Sequence, residues 1–433
     1  KAGEIKRVTI ELPSEKDPAT EYFVQFTARL KNATDWAEAG YELASERFSL
    51  GSPKKPLLAI PGDAKLNVSN TSATITVSGE NFSASFNKSK GTLATYKANG
   101  VTLVSNNPLT LNMMRLPTDN DGRQCEGWDN MGLNALTVKG GTVTCEIGED
   151  STYVNITMPS TYTGKNGTKF AVLHNFKVLC NGVILMNSTI SPSNKGAIIP
   201  RMGFRFEMPA QMEQLSWFGR GPWDSYVDRK EACFPGVYSS TVKDQYTEYI
   251  KPQEHGTKQE VRWISLANAD GKGLLVVAPD KIAASATHFK VEENYTDRNN
   301  RKKHTYDFKS CTNTVVCLDA VTRGLGNASC GPEVLDQYEL KANDVAMSLI
   351  FMPFAEGTTT ADMAQMARVE MPVCKNLTCE RNGSGNVAIS CPTKGSTIYY
   401  SLNDGETYKR YTTPFALPDG GTVLCYASAD GYF

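Results

Sequence analysis

One stretch limits the fold more than any other: "KLNVSNTSATITVSGENFSASFNKSKGTLATYKANGVTLV", Lys65 to Val104. Inside it "ATITV" alternates apolar and polar residues, the period of a strand with one buried face. "KSKG" and "KANG" supply turns between the strands. The pattern returns in "GTVTCEIGE" and "STYVNITMPS", and "GKGLLVVAPD" adds an apolar strand near Leu274 to Ala278. No stretch supports a helix of more than about three turns, and "NALTV" and "ADMAQMARVE" read either way. Many short strands joined by such turns predict an all-β chain of sandwiches or barrels.

Composition narrows the function. The chain has 433 residues, a formal net charge of -1, 40% hydrophobic and 21% charged residues. It carries no basic excess for a phosphate backbone, so nucleic acid is not an expected partner. No apolar run is long enough for a membrane helix. The eleven cysteines are spread along the chain, which argues against a dense disulfide framework.

Three segments are expected. Residues 1–55 contain the alternating strands "KRVTIELP" and "EYFVQFTARL" and a closing "SERFSL". So short a stretch is either a small domain or the end of one. Residues 56–368 form one large β-domain. Residues 369–433 hold Cys374, Cys379, Cys391 and Cys425 and form a small sandwich. A hairpin is expected there around "NDGE". A disulfide between two of its strands and free buried cysteines are both open.

The chemical groups are scattered. His174, His255, His288 and His304 lack metal-ligand spacing, and "CKNLTC" has no second cysteine pair to complete a zinc site. "GRGPW" lies in strand-rich sequence and reads as a turn, not a dinucleotide loop. Neither a metal nor a cofactor is expected. Two polar stretches stand out. "RLPTDNDGRQCEGWDN" combines carboxylates, amides and Trp128, groups that bond sugar hydroxyls and cover a sugar's C–H face. It also reads as a solvated loop with Asx turns. "WFGRGPWDSYVDRK" mixes Trp217, Trp223 and Tyr226 with charges. Core packing explains its aromatics, and an Asp228–Arg229 salt bridge would tie strand ends.

The middle of the chain resembles the C-terminal domain of large bacterial β-galactosidases of glycoside hydrolase family 2. The stretches that carry the likeness are "ATDWAEAGYELASERFSL", "RLPTDNDG", "WFGRGPWDSYVDRKEACFPGVY", "DQYTEYIKPQEHG" and "TRGLGNASCGP", in that order from Ala33 to Pro332. The resemblance implies a partial immunoglobulin-like sandwich, then a large galactose-mutarotase-like antiparallel supersandwich. It places the catalytic glutamates in a barrel upstream of Lys1, so no catalytic residue is expected in this chain. The large sandwich would shape the rim of that barrel's sugar pocket. Asp119, Asn120, Asp121 and Cys330 would lie together on one face as substrate-binding residues, with Trp128 as a further aromatic. In the best-known members a Trp stands where this chain has Cys330, which weakens lactose as the expected substrate. A mutarotase's His–Glu pair has no counterpart among the four histidines.

"ISCPTKGSTIYYSLNDGETYKRYTTPFALPDGGTVLCYASADGY", Ile389 to Tyr432, is similar to the small β-sandwich at the C-termini of chitobiases and hexosaminidases. That likeness implies an accessory module whose Tyr399, Tyr400, Tyr408 or Tyr411 pack or touch glycan. The expected function is thus a non-catalytic C-terminal region of a β-galactosidase-type enzyme, acting on a galactoside or oligosaccharide with the upstream catalytic domain. The alternative is a stand-alone carbohydrate-binding or adhesion protein. A periplasmic or secreted location goes with either.

Overall fold

The computed structural model describes residues 3–432 apart from 13, 15, 60–61, 106, 149, 296–302, 375–376, 404–406 and 430–431. The all-β expectation holds. The longest helices among the described residues, Cys125–Met131 and Thr360–Met366, have seven residues each. Contacts divide the chain into two compact units, Lys1–Leu58 with Arg368–Glu370, and Ala59–Ala367 with Met371–Phe433.

In the second unit the Lys65–Val104 alternation becomes a five-stranded antiparallel sheet in chain order. Ile75, Val77, Ala84 and Phe86 are fully buried, while the residues between them stay partly exposed. "KANG" closes a two-residue hairpin, with Ala98 paired to Val101. Asn99 and Gly100 take φ of 51° and 78°, the left-handed pair that suits the twist of such a hairpin.

A thirteen-stranded sheet forms the rest of the large sandwich. Its main path runs Thr144–Ile147, Tyr153–Thr163, Lys169–Leu179, Ile184–Pro192, Val345–Phe354, Gly273–Phe289, Lys258–Ala267, Gln214–Gly221, Phe234–Thr241. The long strand Gly273–Phe289 links two groups of partners. Lys258–Ala267 runs along both of its parts with breaks in register, while on the other side its first part pairs with Val345–Phe354 and its last part with Ser310–Thr322. The change falls across Pro279, Asp280 and Lys281. Proline has no N–H for the ladder, and the two charged residues stay exposed. Side chains from both sheets share one core, where Phe86 meets Phe176 at 5.0 Å between ring centroids.

The two ambiguous stretches resolve differently. Thr359 starts the Thr360–Met366 helix with a reciprocal cap. Its hydroxyl accepts from the Asp362 N–H, and the Asp362 carboxylate accepts from the Thr359 N–H at 2.8 Å. Such a cap satisfies donors that a short helix leaves open. In "NALTV" the last residues enter a strand, Thr137–Gly140, paired to Tyr153–Thr163.

The end of the chain forms two three-stranded sheets. One joins Thr378–Arg381, Asn386–Ser390 and Phe415–Ala416. The other joins Lys409–Arg410, Thr397–Ser401 and Leu424–Ser428. Tyr399 and Tyr400 pair with Arg410 and Lys409. The tip of that expected hairpin, residues 404–406, lies outside the described residues, as do 430–431 at the end of the "ADGY" run.

Among its described residues the first unit holds one hairpin, Phe23–Arg29 with Glu42–Ser49. Phe26, Phe48, Trp36 and Tyr41 are all about half exposed or more. A two-stranded sheet cannot bury both its faces.

Candidate functional site

Three of the distinctive stretches meet in one place. The turn Asp119–Arg123 and the loop after the strand Ser310–Thr322 are tied by Asn120. Its side-chain amide donates to the Gly326 carbonyl at 2.6 Å, and its carbonyl oxygen accepts from the Ser329 N–H at 2.9 Å. The third stretch contributes Asp228, whose carboxylate accepts from the N–H groups of Leu325 and Gly326 at 2.9 and 2.8 Å. This replaces the expected Asp228–Arg229 pair. Arg229 instead bonds Asp224 at 3.1 Å, because the tight turn from Tyr226 to Arg229 turns the Asp228 carboxylate toward the loop amides. A Cβ on Gly324 would stand 2.7 Å from Asp228 Oδ2, so glycine permits the approach.

Below this junction lies a buried ion network. Asp121 is fully buried. It takes two bonds from Arg115, at 2.7 and 3.1 Å, and faces Arg323 at 3.3 Å. The Thr118 N–H and hydroxyl donate to its other oxygen. Arg115 also donates to the carbonyls of Arg323 and Gly324, at 2.8 and 2.9 Å. Arg323 continues to Glu339 at 2.5 Å and Glu333 at 3.5 Å. Burial works against the Arg323 charge, but Glu339, Asp121 and Glu333 outweigh it and hold its pKa above the ordinary value. With every group paired, the network fixes one loop geometry; removing one partner would leave a buried charge.

The expected site residues therefore divide. Asp119 is half exposed and ion-paired with Lys251, Asn120 links the two loops, and Cys330 is exposed beside Ser329. Asp121 is spent on two arginines and faces no solvent. Trp128 is 1% exposed, donates its indole N–H to the Ile198 carbonyl at 3.2 Å, and lies near the Arg115 guanidinium. Neither Asp121 nor Trp128 presents a surface to a ligand here; both support the turn from within. Trp217 and Tyr226 are core residues, whereas Trp223 is 66% exposed. Sequence reasoning missed the roles of Arg115, Arg323, Glu333 and Glu339. The signal was there, since Arg115 and Arg323 each begin a distinctive loop. Their pairing across the fold could not be seen without the strands between them.

A large antiparallel sandwich with its loops locked by buried charge defines a scaffold that presents loops at one end. The comparisons say whose scaffold it is. Residues 78–351 match the family described as "Beta galactosidase small chain", and residues 1–51 match "Beta-galactosidase, domain 4". The chain belongs to the β-galactosidase family. It is 30% identical over 276 residues to a β-galactosidase of Priestia megaterium, covering 62% of this chain and 26% of that protein. It is 28% identical over 349 residues to one of Actinobacillus pleuropneumoniae, covering 79% and 33%. The chain thus spans about a quarter to a third of the length of the curated relatives it matches. Among solved structures it is similar to galactose 1-epimerase from Lactobacillus acidophilus NCFM, with a TM-score of 0.37 and 10% identity, covering 68% of this chain and 99% of that one.

Proposed function

We propose that this chain is a non-catalytic C-terminal region of a β-galactosidase-type enzyme of glycoside hydrolase family 2, whose locked loops form part of the rim of a sugar pocket. The catalytic glutamates would come from a barrel elsewhere in the parent protein. The junction at Asn120 carries this reading. Its two bonds hold the Asp119 turn and the Cys330 loop together, leaving polar, exposed groups side by side over a rigid base. A binding rim needs such preorganisation. The relatives' name and the share of their length that this chain covers support the rest. Exposed apolar residues nearby, Tyr249, Ile250 and Tyr306, suit a face covered by another domain. The substrate would be a galactoside or an oligosaccharide, and a periplasmic or secreted location fits polysaccharide use.

Kinetics of the full-length parent test the rim. An indole stacked on a sugar is worth about 1–3 kcal/mol by analogy with stacked bases, and a thiol offers little of that area. Cys330→Trp should lower KM for an aryl β-galactoside if the ring fits, or impair a branched oligosaccharide if it narrows the pocket. Unchanged kcat/KM for both substrates would show that Cys330 does not face the sugar.

A further inference from the structure

We infer that a cleft between the large sandwich and the C-terminal module binds a neutral oligosaccharide. The cleft has a volume of about 300 Å³, at the lower end for a small-ligand site. It shares no residue with the Asn120 junction. One wall comes from the edge strands of the thirteen-stranded sheet, with Thr144, Glu146, Asn155 and Thr157. The other is aromatic, with Tyr399, Tyr408 and Tyr426 from the module.

The aromatic wall is built, not incidental. Tyr399 and Tyr426 stack with centroids 5.0 Å apart and planes 14° apart, and Tyr408 meets Tyr426 edge-on at 5.2 Å. These rings are half-buried and held by one another, so a ligand would meet a surface already formed. Flat ring faces match the C–H faces of a pyranose, and phenol hydroxyls bond its oxygens.

The polar wall supplies direction. Thr157 donates to Asn175 at 2.9 Å, and both line the cleft with Tyr426. The Asn155 Oδ1 is shielded from solvent yet has no hydrogen-bond partner. A buried acceptor left unpaired is costly; the Asn155 side chain lines both this cleft and the hollow beside it, so a rotation of its amide on binding would bring that acceptor to a sugar hydroxyl. A second hollow of about 430 Å³ continues from Glu146 and Asn155 toward Asp150 and Tyr153. The groove therefore extends beyond one ring along the edge strand.

Charge decides the class of glycan. Among the described residues no lysine or arginine lines the cleft, and Glu146 is its carboxylate. A sulfated or uronic sugar would meet repulsion without compensation. This inference goes beyond the rim function and does not depend on it.

The test is binding to the 433-residue chain, read by saturation-transfer NMR and calorimetry. The probes are β-1,4-galactotetraose, cellotetraose and tetragalacturonate. At least one neutral tetrasaccharide should bind and tetragalacturonate should not. Asn155→Leu removes one acceptor and should weaken binding about tenfold, the worth of one hydrogen bond. Thr144→Trp fills the cleft from an exposed strand position, so the fold should tolerate it, and it should abolish binding. No binding by either neutral sugar overturns the inference. So does neutral binding that Thr144→Trp leaves intact, or equal binding of the acidic sugar.

Discussion

Lys258 shows how a single buried group tunes the large sandwich. Its ammonium lies 5.2 Å from the Trp217 ring centroid and 3.4 Å from the Gly256 carbonyl. Burial lowers its pKa to about 8, while Asp224 and Cys233 pull it upward. The unfolded lysine keeps its ordinary value near 10.5, so between pH 8 and 10.5 the unfolded chain holds more protons. Stability from this group therefore rises with pH across that window, and the full penalty applies below pH 8. Lys258→Met should stabilise the protein at pH 7 by about 1–3 kcal/mol, after loss of the ring contact. The gain should shrink toward zero by pH 10.5. Urea midpoints of both proteins across this range check it, and a gain independent of pH would refute the titration. Asp121 is the opposite case. Asp121→Asn leaves Arg115 and Arg323 without their shared carboxylate and should cost about 3–5 kcal/mol. Equilibrium unfolding at pH 7 reads that loss, and a cost below 1 kcal/mol would mean that Glu339 and Glu333 suffice.

At the scale of elements, the sequence was most informative where period and turn chemistry act locally. The Ile75–Val77 and Ala84–Phe86 alternation fixed which face is buried before any partner strand was known. "KANG" did the same for its hairpin, because only small or left-handed-tolerant residues suit it. The Asn120 junction was half legible. Its loops were distinctive, but Asp121 read as a ligand group since burial depends on strands hundreds of residues away. Trp128 misled for the same reason. In the module, the cysteines resolve into neighbours: Cys374 contacts Cys391, and Cys379 contacts Cys425. All are thiols here. Burial and the neighbouring sulfur raise Cys374 to about 11 and Cys425 to about 12. Burial also raises Cys391, but hydrogen bonds with Thr393, Ser396 and Cys374 outweigh it and bring it below the ordinary value. Cys391 should therefore react first with an alkylating reagent. Incubation with glutathione disulfide should join both pairs. Each pair gives up two protons and two electrons, and each glutathione disulfide becomes two thiols. Non-reducing peptide maps should show Cys374–Cys391 and Cys379–Cys425, with a gain of about 3 kcal/mol each. Cross-pairing, or no pairing, would contradict these contacts.

At the scale of the molecule, the question is whether so many carboxylates near one loop end can hydrolyse a glycoside unaided. Glycoside hydrolysis needs an acid and a base or nucleophile about 5–10 Å apart across an open sugar site. The carboxylates at the junction are committed elsewhere. Asp121 holds two arginines, Asp119 meets Lys251, Asp228 accepts from two loop amides, and Glu333 and Glu339 hold Arg323. Each already holds a cation or accepts from N–H donors within the protein, so these five do not form a pair facing one another across an open sugar site. The chain alone should show no turnover of p-nitrophenyl β-galactoside above buffer. Adding the remaining part of the parent protein should restore it, if the barrel lies there and this region completes its rim. Hydrolysis by the chain alone would overturn this reading if it survived repurification and vanished on substitution of one of these carboxylates. Activity of the remaining part that is unchanged by adding this chain would instead leave the hydrolase intact and remove the rim role.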